Sequence, residues 1–398
     1  MNMDGANERP GKVESAAAFS KGGLEHLRKG LEAEIEAGML PGAVVLVARH
    51  GQLGFVHAGG WLDKAKGRPM KEDALFRLFS MTKPFTSVAA LMLVEQERLS
   101  LEDKVLRYLP ELGSAWQDTS VAHLLLHASG LTYGVRSANP TVRKAYQDQG
   151  IPVNPRGIAP DDFLRKIAQV PLLYAPGTTW EYGLSTDVLG LLIERCTGQR
   201  LGAWLDLHVF KPLGMMDTSF QVDPAQAARI AQPFGVDPVD GVPFTTPDQT
   251  FDPVSAALLD SGGAGAIATA RDYLRFAEML LGGGRLGSTR LLREDTVRRM
   301  TKDHITGKLS APLTPGQAAM QLPGYGFGLG FGVRLRGNPS DAPGSAGSFF
   351  WSGTGGTMFW VDPQEQLVAV YMTQAPGPSR QHYRRWIMTR VYEALEVR

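Results

Sequence analysis

The chain is nearly without cysteine: Cys196 is the one cysteine among 398 residues. No intramolecular disulfide can form, and its place in the helical-looking stretch Asp187–Gly198 reads as a buried, inert thiol. Net charge is also almost absent, 41 basic residues against 40 acidic ones leaving +1. That removes any global electrostatic case for nucleic acid or an anionic membrane. No apolar run is long enough to span a bilayer. Residues 1–19 are polar, carry Asp4, Glu8 and Glu14, and lack the apolar centre of a secretory signal, so a cytoplasmic location is expected. Internal repeats and low-complexity segments are missing too.

Several chemistries lack their motifs. There is no His-Glu-x-x-His, no Cys-x-x-Cys and no phosphate-binding Gly-x-x-x-x-Gly-Lys-Ser/Thr. His123 and His127 have helical ligand spacing, but three leucines separate them and no glutamate is there to act as base. Glycine alternates with large apolar residues over 326–332, a strand pattern and not the turn that a dinucleotide needs. Gly344-Ser345-Ala346-Gly347 has the wrong spacing for a Gly-x-Ser-x-Gly elbow. Neither a metal nor a cofactor is expected.

What is present is an ordinary globular composition, 43% hydrophobic and 20% charged, with enough length for a sizeable core. Its centre is the stretch 75–95. A short apolar run ends at Phe79, and a helix with Ala89, Leu91, Met92, Leu93 and Val94 follows. Ser80 stands at the junction and Lys83 one helical turn later, so hydroxyl and amine share a face. Pro84 is tolerated because first-turn N–H groups lack partners. The positive end of the helix dipole favours an alkoxide and is expected to push the lysine towards its neutral, proton-accepting form. Ser-x-x-Lys makes a nucleophile without histidine in this way.

An acyl-transfer site on this pair needs a second base, an oxyanion hole and a wall for the acyl group. Tyr182, at a loop-to-helix junction, is the best second base, because a phenolate beside an ammonium can take and return the serine proton. Trp351-Ser352-Gly353-Thr354, in an expected strand, supplies the wall, with the Thr354 N–H paired to that of Ser80 as oxyanion hole. Tyr133 and Asp187 are further pocket candidates. Ser137-Ala138-Asn139 is a rival Ser-x-Asn motif in a polar loop. His127 is expected to satisfy a loop hydrogen bond.

Periodicity gives the surroundings. A helix is expected over about 23–38, a hairpin of strands 43–49 and 53–58, and helices over 121–127, 160–170, 186–196, 201–213, 270–281 and 293–300. Strands are expected over 325–335, 349–361 and 367–373, and a closing helix over 386–395. The fold class is therefore α+β. An N-terminal arm (1–20) precedes one catalytic domain (21–398). Its sheet lobe comprises about 21–85 and 260–398, its helical lobe about 86–259, and the active site lies in the cleft between them.

The quoted motifs, with Leu124-Leu-Leu-His-Ala-Ser-Gly-Leu131, Tyr174-Ala-Pro-Gly177 and Ser261-Gly-Gly-Ala-Gly265, resemble the serine β-lactamase and penicillin-binding-protein superfamily. Within it, the likeness is to the family VIII carboxylesterases, which are similar to class C β-lactamases. The resemblance implies a β-lactamase/transpeptidase-like fold, Ser80 as nucleophile, Lys83 and Tyr182 as the general-base pair, and the Ser80 and Thr354 N–H groups as oxyanion hole. Two departures bear on substrate. Leu184 stands where Tyr-x-Asn has asparagine, and Trp351 where Lys-Thr-Gly has lysine. Losing that lysine removes a cation that would hold a substrate carboxylate.

The expectation is a serine esterase for short-chain acyl esters, with a weak side activity on β-lactams and a small-molecule substrate as its only implied partner. The alternatives are a transacylase, amidase or D-amino-acid peptidase on the same machinery, or a catalytically silent ligand-binding module. Oligomeric state is open.

Overall fold

The computed structural model describes residues 19–244, 251–310, 324–336 and 343–396. Most of the expected arm lies outside them, as do parts of the loops expected over 217–252, 307–323 and 337–347. Helix α1 (Lys21–Glu36) starts at Ser20, whose Oγ accepts the Gly23 N–H. This N-cap answers a donor that the first turn leaves unpaired. Strand β1 (Gly42–Arg49) follows, turns at His50 and Gly51, both at positive φ, and returns as β2 (Gln52–Asp63).

β1 lies inside an eight-stranded antiparallel sheet. The order is Arg68–Pro69, β2, β1, Leu367–Thr373, Met358–Asp362, Phe349–Ser352, Gly332–Arg334, Tyr325–Phe327. All eight residues of β1 are buried, which an antiparallel strand shows only when both faces of its sheet are covered. Alternation assigns the faces. Val44, Leu46 and Ala48 join the main core, with Val368, Val370 and Met372 from the neighbouring strand. Ala43, Val45 and Val47 point into a second core beneath α1 and the helix Ser379–Glu393, against Leu27, Leu31, Ile387 and Val391. Burying each valine contributes roughly 1.5–3 kcal/mol.

Two expected strands are hairpins. The stretch expected as a strand over 325–335 breaks at Gly328–Phe331, so that Tyr325 pairs with Arg334 and Phe327 with Gly332. Gly330 makes the turn at φ 103°, where an added Cβ would lie 2.3 Å from Ser87 Oγ. The stretch expected over 349–361 breaks at 353–357, and Thr354 sits in that turn and not in a strand. Alternation of glycine with bulky residues is shared by both arrangements, which is why periodicity merged them. The closing helix begins earlier than expected, at Ser379.

On the main-core face, helix Ala270–Leu281 packs under β1 and the strands Met358–Asp362 and Leu367–Thr373. Helix α2 (Lys83–Glu95) packs on helix Ser185–Thr197 beyond it. Among the described residues no helix is long and apolar enough to cross a membrane.

Candidate active site

Ser80 is presented by a constrained turn. Phe76–Arg77 pairs with Ile267–Ala268, and the Leu78 N–H donates to Ala266 O. Phe79 then adopts φ 47°, a left-handed conformation that costs a non-glycine residue about 1 kcal/mol or more. Its ring meets Phe251 edge-on at 5.5 Å, which fixes the strained residue from outside. Residues Phe79–Thr82 form a 3₁₀ turn, and α2 begins at Lys83 with Pro84 in its first turn. Ser80 therefore lies within the turn leading into the helix and does not cap it.

Lys83 is 1% exposed, yet its ammonium is fully engaged. Nζ donates to Gly263 O at 2.8 Å, to the Tyr133 hydroxyl at 3.0 Å and to Ser80 Oγ at 3.4 Å. Burial alone pulls its pKa down. Tyr133, Tyr182 and Asp187 together outweigh that pull, and the net shift is upward. The neutral lysine expected from the helix dipole is thus not what the site builds. A fixed dipole of half a charge loses to three nearby oxygens and a carboxylate.

Tyr182 lies with its ring centroid 4.8 Å from Lys83 Nζ. Four rings enclose it: His127 at 4.6 Å, Trp351 at 5.4 Å, Tyr133 at 5.5 Å and Trp180 at 6.2 Å. Its buried hydroxyl makes no hydrogen bond of ordinary geometry among the described residues, although Lys83 is close enough to feel it. Tyr133 takes the direct bond to the lysine instead. Burial pushes the Tyr133 phenol up, more than Lys83 pulls it down.

Asp187 is buried close to Lys83. Its Oδ1 accepts from Ser261 Oγ at 2.5 Å and from the Gly263 N–H at 3.1 Å. The same Gly263 offers its carbonyl to Lys83, so a buried carboxylate holds the loop that holds the ammonium. Thr86 Oγ1 donates to Gly262 O and Thr82 Oγ1 accepts the Ala266 N–H, tying the loop to α2 twice more. Sequence reasoning noted the glycines at 262–265 but did not give them this task. The signal was there in a glycine run too dense for packing alone.

Trp351 is buried, against Tyr182 and against Phe327 at 5.3 Å. Ser352 and Thr354 are half-buried and Gly353 buried. A Cβ on Gly353 would lie 2.2 Å from Leu78 O, so glycine is what lets this turn press on the approach to Ser80. Thr357 Oγ1 donates to the same Leu78 O at 3.4 Å.

The other motifs have ordinary uses. Asn139 caps helix Pro140–Asp148, its Oδ1 accepting from Thr141 and Val142, and Ser137 Oγ accepts the Asn139 N–H. His123 Nδ1 accepts the Ser120 N–H in a capping box. His127, at φ 52°, accepts the Gly183 N–H at 3.4 Å. Cys196 is half-buried, not buried as expected, with its thiol pushed up by burial.

Comparison with known proteins identifies the family. The family model described as Beta-lactamase matches residues 27–392. Esterase EstB of Burkholderia gladioli is 36% identical over 362 residues, covering 84% of this chain and 86% of that protein. Protein Rv1367c of Mycobacterium tuberculosis is 34% identical over 371 residues, 85% of this chain and 87% of its own. The solved structure of EstCE1, a hydrolase with promiscuous acyltransferase activity, superposes with a TM-score of 0.77 at 27% identity, covering 93% of this chain and 99% of that one. The chain belongs to the beta-lactamase family and, within it, to the family VIII carboxylesterases.

Proposed function

We propose that this protein is a serine carboxylesterase that hydrolyses short-chain acyl esters through an acyl-enzyme on Ser80. The catalytic unit is the stretch 21–398, with 86–259 as its helical lobe. The observation that carries the reading is the buried Lys83 ammonium, within hydrogen-bonding reach of Ser80 Oγ and of the Tyr133 hydroxyl and 4.8 Å from the centre of the Tyr182 ring. In this reading Tyr182, acting as a phenolate balanced by Lys83, takes the Ser80 proton as Oγ attacks the ester carbonyl. The Ser80 and Thr354 N–H groups stabilise the resulting oxyanion. Tyr182 returns the proton to the departing alcohol, and the same groups activate water to release the acid.

Trp351 favours apolar, uncharged acyl groups, because no cation stands at its position to hold a carboxylate. The test is turnover of p-nitrophenyl butyrate by Ser80→Ala, which should fall to background. Retained turnover in a folded Ser80→Ala protein would overturn the mechanism.

Acyl transfer is a second reading, favoured by the promiscuous acyltransferase activity in the description of EstCE1 and by the aromatic rings packed around Tyr182. Adding a primary alcohol as acceptor and measuring the ratio of new ester to free acid separates the two.

A further inference from the structure

The turn 353–357 has a second support besides Leu78. Arg384, on the helix Ser379–Glu393, is buried, and its Nη2 donates to Gly353 O and, at 3.4 Å, to Thr357 O. Its Nε has no partner among the described residues, so nothing else in the surroundings uses the group fully. Burial pushes the guanidinium down to about 9, which leaves it cationic at neutral pH, and Tyr182 is one of the groups that raise it.

Gly353 O and the Thr354 N–H are the two ends of one peptide unit. In a trans peptide they point in opposite directions. A cation fixed on the carbonyl therefore aims the N–H away from Arg384, and the turn that carries it packs against Leu78 through Gly353 and Thr357. The Gly356 N–H donates to the same carbonyl at 3.0 Å, adding a second pull in the same sense. The Thr354 N–H itself makes no backbone hydrogen bond among the described residues. Hydrogen bonds to an amide oxygen draw electron density from its nitrogen and strengthen that N–H as a donor, and the effect is largest when the partner is charged.

We propose that Arg384 is a positioning residue for the oxyanion hole: by clamping and polarising the Gly353–Thr354 peptide, it presents the Thr354 N–H to the tetrahedral intermediate. The proposal rests on the reading of Ser80 as nucleophile and Thr354 as oxyanion donor. It adds a charge behind the peptide that acts when the oxyanion forms and contributes little to ground-state binding. It also gives the Arg384 cation a use other than holding a substrate carboxylate.

Arg384→Gln and Arg384→Lys test it with three probes: p-nitrophenyl butyrate, an alkyl trifluoromethyl ketone that forms an oxyanion on Ser80, and the matching methyl ketone that mimics only the ground state. Arg384→Gln should lose about 10–100-fold in kcat and in trifluoromethyl-ketone affinity, a fraction of what losing a whole oxyanion donor costs. Its KM and methyl-ketone affinity should stay within about threefold of the parent. Arg384→Lys, which keeps the charge, should fall between the two.

Equal losses on both ketones, or a lysine variant as poor as the glutamine one, would mean that Arg384 only packs the turn, and would overturn the proposal. So would unchanged kcat and ketone affinity in folded Arg384→Gln. If the variants do not fold, a crystal structure of the unmutated protein with an alkyl phosphonate on Ser80 decides. The phosphoryl oxygen must accept from Thr354 N while Gly353 O stays on Arg384, and any other placement overturns the proposal. Failure of the phosphonate to label Ser80 would count against the esterase reading itself.

Discussion

The Tyr133 hydroxyl lies 3.0 Å from Lys83 Nζ, closer than Ser80 Oγ at 3.4 Å. Tyr182 faces the same ammonium through its ring. The lysine thus stands between two phenols of unequal engagement. The Tyr133 hydroxyl is bonded to the ammonium, whereas the buried Tyr182 hydroxyl makes no hydrogen bond of ordinary geometry among the described residues.

That asymmetry separates two conservative substitutions. Tyr182→Phe removes the proposed proton carrier and should lower kcat about 10²–10⁴-fold, as loss of a general base does. Tyr133→Phe removes one of three acceptors of Lys83 and should cost about tenfold or less, the lysine keeping Gly263 O. Steady-state kinetics on p-nitrophenyl butyrate checks both. A larger loss for Tyr133→Phe than for Tyr182→Phe would exchange their roles.

Asp187→Asn keeps the shape of the side chain and its acceptor for Ser261, but removes the charge behind Lys83. We expect a stability loss of about 1.5–3 kcal/mol, the range for hydrogen bonds to a charged group. A fall in kcat should accompany it, because the Gly263 loop then holds the lysine less firmly. Chemical denaturation and kinetics on the same preparation read both effects.

Gly353→Ala places a methyl group 2.2 Å from Leu78 O and 2.4 Å from Thr357 Oγ1. Backbone cannot yield as a flexible side chain would, so the turn must lift away from Ser80. The expected cost is about 1–3 kcal/mol in stability with a loss of activity out of proportion to it. Circular dichroism melting alongside turnover tests this.

His127 is buried and its pKa is pushed well below the ordinary 6.5, first by desolvation and then by Lys83. The folded chain keeps this imidazole neutral, whereas the unfolded chain protonates it below about pH 6.5. Its contribution is therefore complete above that pH and lost on acidification, with a slope of at most about 1.4 kcal/mol per pH unit. His57 and His123 are shifted in the same direction. The His127 share is the difference in melting temperature between the parent and His127→Gln, followed from pH 7.5 to pH 5, which should shrink as the pH falls.

Much of this was legible beforehand. The pairing of Ser80 with Lys83 follows from helical spacing, and Tyr182 from its place at a helix start. The helix Ala270–Leu281 matched its expected bounds, because a long amphipathic period is a strong signal. Three features were not legible. The upward shift of Lys83 depends on Tyr133, Tyr182 and Asp187, which sequence distance keeps apart. The turns inside 325–335 and 349–361 depend on glycines whose φ no pattern encodes. Arg384 lies before the helix expected over 386–395, and only the observed helix start at Ser379 sets it beside Gly353.

β1 meets Leu367–Thr373 residue for residue, from Ala43 opposite Thr373 to Arg49 opposite Leu367. During synthesis, Ser80 and Lys83 leave the ribosome long before the strand that closes the sheet beside them. Until then β1 has an open edge lined with valine, the kind of surface that pairs with a neighbouring chain. Slow production or a holding chaperone should therefore raise the yield of active protein more than any change at the catalytic residues.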